Sequence, residues 1–260
     1  MKKRVYTITG LLCFVAAFFV WEGLSTARIL NPITFPLPSR IFSDFIDYFI
    51  VGELPLQVVQ TFYRMFLGYI LAMATAIPLG ILMGYTKFFY NLLEPVIEFL
   101  RPLPPPSIIP VLMLIMGTGD DMKITVIFFG CFFPIIVNTL DGVLSTDPVL
   151  VNTARTFQMS TGKIMRRIIL PSTSPYIMSG MRVALPMSLI MAITAEILGG
   201  GRNGVGFFIN WHYQSFHYPA MFAGIILVGI IGYLLNMLFK TVENRYMAWN
   251  LGFMGSEAAA

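Results

Sequence analysis

Four ionisable side chains stand inside long apolar runs of the sequence: Arg64, Arg101, Arg182 and Glu196. A charge in an apolar environment is costly, so such residues usually face a polar cavity or an opposite charge. None of the four belongs to the nucleophile, base or metal-ligand patterns of an enzyme. The chemistry they indicate is therefore recognition of a polar solute, and the excess of arginine over acid favours an anion.

Arg101 is the best candidate for a charge beside a passage, because a cluster of prolines follows it directly. Prolines in the middle of an apolar run predict a broken helix, and broken helices expose backbone groups to a solute in transporters. The alternative is an ion pair between Arg101 and Glu94 or Glu98. Ser107, beside the break, could bond either a solute or a carbonyl that the prolines leave free.

The other three charges have simpler interpretations beside a role in a passage. Arg64 and Glu196 lie near the outer ends of their runs, where a long side chain can reach the interface. Arg182 lies roughly 10 Å from the inner end of its run, at 1.5 Å per helical residue. All three stay candidates for a pathway.

Motifs for catalysis, nucleotide binding or metal binding are weak or missing. No G-x-x-x-x-G-K-[ST] loop occurs, so energy from ATP would have to come from another subunit. Gly199, Gly201 and Gly204 match G-x-G-x-x-G, but no strand precedes them, and a flexible loop is favoured. His212 and His217 have no Cys or carboxylate beside them and are better read as interfacial residues. We expect no catalytic residue, metal or cofactor on this chain.

Composition places the chain in a membrane. Of its 260 residues 57% are hydrophobic and 12% are charged, whereas soluble domains carry about 25% charged residues. The length allows a single all-α membrane domain of about six helices, each of which needs about 20 residues to cross the bilayer. The first run is taken as a retained helix and not as a cleaved signal peptide. The predicted spans are residues 10–26, 58–85, 88–117, 122–144, 175–198 and 219–239.

Basic residues set the predicted orientation. With the N-terminus inside and six alternating spans, most of the 17 Lys and Arg residues fall in the inner segments. Cytoplasmic loops of membrane proteins carry such an excess. Both termini are therefore predicted to be cytoplasmic, in a multi-pass membrane protein, and the positive charge indicates membrane orientation and not nucleic-acid binding.

The outer segment 39–50 has helical periodicity with one apolar and one polar face. Ser39 is predicted to cap its start. The helix is expected to lie flat at the outer interface, or alternatively to pack against the bundle with no specific role.

The inner segment 146–171 is the most informative part of the chain. Asp147 followed by Pro148 is typical of a helix start, and Leu150, Ala154 and Phe157 form an apolar stripe. A second helix is predicted from residue 160 or 161 and is expected to end at Leu170-Pro171. A cytoplasmic amphipathic hairpin can dock into a partner's groove and transmit rigid-body motion; the alternative is a solvated basic loop beside lipid headgroups.

This segment carries a resemblance that extends over roughly residues 54–206. It resembles the "EAA" loop of ABC-importer permeases, in which a coupling helix docks into the ATPase. The neighbouring segments 101–124 and 175–199 are similar to permeases of the nitrate/sulfonate/taurine group. The residues matched to the coupling motif are Asn152, Thr153, Ala154, Arg155, Thr156, Phe157, Gln158, Met159, Ser160, Arg166 and Arg167.

Three positions depart from the family pattern. Asn152 stands for its Glu, Thr153 for its first Ala, and Gln158 for its Gly. Glycine permits a turn with positive φ, which Gln adopts less readily. We therefore expect the turn to shift or the helix to continue, with docking retained on a specialised partner surface.

The resemblance implies a complete assembly in the bacterial inner membrane. Two copies of the permease would form the passage, two ABC ATPase subunits would hold ATP and Mg, and an extracytoplasmic solute-binding protein would deliver the solute. The expected substrate is a small anion such as a sulfonate, taurine or nitrate. A vitamin precursor or other small metabolite is the alternative, and an ATP-independent secondary transporter is a second one.

Overall fold

The computed structural model describes residues 15–246. Residues 10–14 of the first predicted span and both predicted cytoplasmic termini lie outside this range. The described part contains helices and no strand, as expected for an all-α fold. The helices are α1 (Val15–Thr26), α2 (Pro38–Ile50), α3 (Glu53–Tyr85), α4 (Lys87–Leu100), α5 (Ile109–Met116), α6 (Asp120–Leu144), α7 (Pro148–Thr156), α8 (Thr161–Ile164), α9 (Leu170–Leu198), α10 (Val205–Gln214) and α11 (Tyr218–Tyr246).

Four stretches of helix are long and apolar enough to cross a membrane. They are α3, α6, the continuous stretch 161–198 and α11. The helix pair α4 and α5 makes a fifth candidate, because the two pass the same test together although they are bent by 87°. The described part of the first apolar run is the shorter helix α1.

The described chain divides into two compact units. The first contains α1, α2, the first turns of α3, α10 and the first half of α11. The second contains the rest of α3, α4 to α9 and the second half of α11. Each unit has its own packing, and the functional candidates fall almost entirely in the second.

In the first unit, α2 is anchored to α1 by an acid. The carboxylate of Glu22 accepts hydrogen bonds from the backbone N–H and the hydroxyl of Ser39, at 3.1 and 2.8 Å. The prediction that Ser39 caps the start of this helix is therefore wrong: its hydroxyl donates to Glu22, and the helix start has no capping hydrogen bond from a side chain. Ile41 is buried, whereas Phe42, Phe49 and Ile50 are exposed, so α2 turns one apolar stripe inward and another outward.

In the second unit, glycines let helices approach closely. A Cβ added at Gly84 of α3 would lie 2.5 Å from Val143 of α6, and one at Gly142 of α6 would lie 2.6 Å from Tyr176 of α9. Small residues at helix contacts are typical of membrane bundles, where close packing replaces the hydrophobic drive. The helices α3, α6 and α9 thus form one tightly packed group.

The helix predicted to end at Leu170-Pro171 does not end there. A π turn over Met165–Ile169 joins α8 to α9, and the N–H of Leu170 donates to the carbonyl of Met165, five residues back. This wider turn already interrupts the regular α-helical hydrogen bonds just before Pro171. The absence of an N–H group on the proline therefore does not end the helix. The second helix of the hairpin and the following span are consequently one continuous stretch of helix.

Candidate functional site

The predicted break after Arg101 is present as a sharp bend between α4 and α5. Residues 101–104 are not helical, and a short 3₁₀ turn at Pro105–Ile108 leads into α5. The Ser107 hydroxyl donates to the carbonyl of Pro104 at 2.7 Å. Of the two roles predicted for Ser107, the structure shows the bond to a backbone carbonyl within the break.

A cavity of about 340 Å³ lies beside this bend, between α6 and α9. Its polar side chains are those of Arg101 and Asn138, and its walls include Leu103, Pro105, Phe129, Phe133, Val137 and Met187. The Arg101 side chain is 53% exposed and lies 3.6 Å from Glu98. The predicted ion pair with Glu98 and a position on a cavity are therefore both present.

Backbone chemistry removes one helical hydrogen bond beside this cavity. Gly130 and Pro134 both line it, and Pro134 has no N–H to donate to the carbonyl of Gly130 one helical turn before it. The Asn138 side chain donates to the Pro134 carbonyl at 2.8 Å, which fixes the amide against α6. The cavity thus combines one cation, a few polar groups and a mainly apolar wall.

Arg64 and Glu196 are fully buried inside the described structure. The guanidinium of Arg64 contacts Glu196 at 2.7 Å and Asp120 at 2.7 Å, and the hydroxyl of Thr61 donates to both carboxylate oxygens of Glu196. The interpretation that these charges extend to the interface is wrong, because burial is tolerated here through pairing and not through solvation. We name Thr61, Arg64, Asp120 and Glu196 the charge network.

The sequence interpretation missed two acidic partners. Asp120 seemed to be a loop residue, but α6 begins there, two residues before the predicted span, and its carboxylate meets Arg64. Glu243 lies beyond the predicted end of the last span; because α11 continues to Tyr246, Glu243 forms an ion pair with Arg182. Contacts between residues far apart in the chain have no local sequence signal.

The hairpin begins as predicted and is closed by an unexpected residue. The carboxylate of Asp147 accepts from the N–H of Val149 at 2.7 Å, which confirms the helix cap. Gln158 has φ +55°. Its N–H bonds the carbonyl of Arg155, and the N–H of Met159 bonds that of Ala154, at 2.8 and 3.0 Å.

These two bonds are those of a Schellman motif, the helix end that usually contains glycine. The turn is therefore retained with Gln in the left-handed conformation, and the expectation that it shifts or disappears is wrong. The two backbone bonds offset the cost of positive φ in a residue that has a Cβ.

The buried face of the hairpin is rotated from the predicted stripe. Ala154, Ile164, Ile169 and Val143 of α6 form a small core, against which Val151 and Met159 among others pack. Leu150 and Phe157 are exposed, Phe157 by 77%. An exposed Phe beside Arg155 on a rigid turn is typical of a protein-docking surface.

A histidine cluster in the first unit has structural contacts. His217 lies 3.2 Å from Asp44 and 3.3 Å from the hydroxyl of Tyr48, while burial and the neighbouring His217 lower the pKa of His212 to about 4. Among the described residues no group of three or more His, Cys, Asp or Glu is arranged to hold a metal ion.

The bent helix pair, the apolar spans and the helical hairpin define a polytopic membrane transport protein. The family model of the binding-protein-dependent transport system inner membrane component matches residues 76–247. The chain belongs to this family, and it is a multi-pass permease of the inner membrane. ATP hydrolysis in this family resides in a separate subunit.

Known proteins extend this likeness over most of the chain. A protein of Methanocaldococcus jannaschii named as an ABC transporter permease is 32% identical, over 90% of this chain and 88% of its own. The taurine transport system permease of Escherichia coli is 27% identical, over 96% and 92%. Other relatives are named for aliphatic sulfonates, nitrate and bicarbonate. The inward-facing MetNI methionine ABC transporter has a similar fold, with a TM-score of 0.62 at 19% identity, covering 73% of this chain and 94% of that one.

Proposed function

We propose that the chain forms, with a second copy of itself, the passage of an ATP-driven importer for a small anion. The observation that carries this proposal is the cavity beside the bent pair α4–α5, where Arg101 supplies a cation next to a mainly apolar wall. The relatives named for taurine, sulfonates, nitrate and bicarbonate transport support an anion. An extracytoplasmic binding protein delivers the solute to this passage.

Coupling to ATP is assigned to the hairpin of α7 and α8. Its exposed face carries Asn152, Arg155 and Phe157, and its second helix continues into α9 through the π turn. An ATPase subunit that holds this face can therefore move α9 as a rod, because a continuous helix transmits displacement along its axis. Two ATPases acting on two permeases would reorient the passage between its two sides.

The pathway candidates separate into two groups in this proposal. Arg101 faces the solute, and Ser107 supports the break through its bond to Pro104. Arg64 and Glu196 hold α3, α6 and α9 together through the charge network. Arg182 joins α9 to α11 through Glu243, so that its role is in the movement of these helices.

The test replaces Phe157, the most exposed apolar side chain of the hairpin, by Ala. Loss of a central aromatic contact weakens a protein interface strongly, so we expect at least fivefold less ATPase to purify with the permease and a similar loss of ATP-driven uptake into proteoliposomes. Phe49→Ala, an exposed Phe on α2, is the matched control and should have no effect. Undiminished uptake in ATP-depleted vesicles would instead favour a secondary transporter.

A further inference from the structure

The cavity beside Arg101 has a composition that discriminates between anions. Its surface offers one cationic side chain, one amide side chain and a long apolar wall. A small inorganic anion gains from exchanging its water for protein only where several donors meet it. Here the donors are confined to Arg101 and Asn138, and Asn138 already uses one N–H on Pro134.

The apolar wall is suited to a hydrocarbon body. Phe129, Phe133, Val137 and Met187 line the same cavity as Arg101, and its volume of about 340 Å³ is at the lower end of the range for small-molecule sites. Burial of each methylene against such a wall is favourable. A ligand with a charged head and a hydrocarbon tail would contact both the cation and the apolar wall of this cavity.

The Arg101 guanidinium is available for such a head. Its contact with Glu98 is a single long pair at 3.6 Å between two side chains that are both more than half exposed. An exposed pair of this kind contributes little and is easily exchanged, whereas a planar guanidinium binds a carboxylate or sulfonate through two parallel hydrogen bonds.

We propose that this cavity is a binding site for organic anions, with the acidic head on Arg101 and the hydrocarbon tail along Phe129, Phe133 and Val137. The proposal rests on the proposed function and makes it more specific: the permease itself favours organic over inorganic anions, in addition to any selection by the binding protein. The site belongs to the permease and is therefore measurable without the binding protein.

The experiment measures ligand binding to the purified permease–ATPase complex in lipid nanodiscs, with no binding protein present. The ligands are methanesulfonate, butanesulfonate, hexanesulfonate and nitrate. We expect the affinity to rise up to about fourfold for each methylene that becomes buried, and nitrate to bind at least tenfold more weakly than hexanesulfonate. Arg101→Gln should weaken the binding of every sulfonate at least tenfold, whereas Arg40→Gln, on α2, should change nothing.

A second variant tests where the hydrocarbon tail of the ligand binds in the cavity. Val137→Phe fills the cavity from α6 and should weaken hexanesulfonate binding while it leaves methanesulfonate binding within twofold. Equal affinity for nitrate and hexanesulfonate, the same chain-length dependence in Val137→Phe, or no effect of Arg101→Gln would each overturn the proposal. Failure of the proposed function would appear separately, as loss of ATPase co-purification in the wild-type protein.

Discussion

At the scale of single residues, Gln158 decides the shape of the hairpin. It takes a conformation that costs a residue with a Cβ about 1 kcal/mol, and it is held there by the two bonds that end α7. Gln158→Gly should therefore stabilise the hairpin by up to about 1 kcal/mol, and Gln158→Val should destabilise it, because a β-branched residue is strained at positive φ.

Hydrogen exchange of the backbone amides of residues 148–169 measures this effect. Exchange should slow in Gln158→Gly and accelerate in Gln158→Val, with Gln158→Asn close to the wild type because Asn tolerates the left-handed region. Unchanged exchange in all three variants would mean that the turn does not limit local opening.

The buried charge network makes a second prediction at this scale. Removal of one partner of a buried ion pair leaves an uncompensated charge and costs about 3–5 kcal/mol. Glu196→Leu and Arg64→Met should each lower the thermal midpoint of the purified protein strongly. The double variant should lower the midpoint by clearly less than the sum of the two single variants. Each single variant leaves one charge without its partner, whereas the double variant removes both charges.

The exposed ion pair between Arg101 and Glu98 serves as the control for the effect of the charge network on the thermal midpoint. Arg101→Met should leave the midpoint nearly unchanged, since its ion pair lies at the surface of the described structure. Additive losses in the double variant of Arg64 and Glu196 would contradict an energetic coupling between them.

At the scale of elements, the contact between α3 and α6 depends on glycine. A Cβ at Gly84 would lie within 2.5 Å of Val143, so Gly84→Ala forces two helices apart and should destabilise the protein by about 1–3 kcal/mol. Gly229 of α11 has open space around it, and Gly229→Ala should be neutral or stabilising because Ala favours helix. The thermal midpoint should fall in Gly84→Ala and should not fall in Gly229→Ala; an equal fall in both variants would argue against the close approach.

At the scale of the whole molecule, the predicted orientation places the hairpin inside the cell and α10 outside. A cysteine introduced at Thr153, which is exposed, should react with a membrane-impermeant maleimide only after the membrane is opened. A cysteine at Tyr213, which is also exposed, should react in intact cells. Residue 153 labelled from outside would remove the proposed coupling to a cytoplasmic ATPase.

Local sequence patterns were sufficient for some features. Asp147-Pro148 predicts a helix start because a capping side chain accepts from N–H groups within the next turn. The prolines after Arg101 predict a break because the proline ring removes the backbone N–H donor at its own position. Neither feature depends on which distant residues meet, and both are found in the structure.

The sequence by itself determined that this chain is a helical membrane protein with a helical hairpin before the fifth predicted span, because composition and apolar run length act through the solvent and through neighbours in the chain. Motif order added the resemblance to importer permeases. Tertiary structure alone decided that Arg64 pairs with Glu196, that Arg182 meets Glu243 and that Arg101 lies on an apolar cavity. The physical reason is that the energy of a buried charge depends on partners more than a hundred residues away, or on another helix, and no local pattern encodes that proximity.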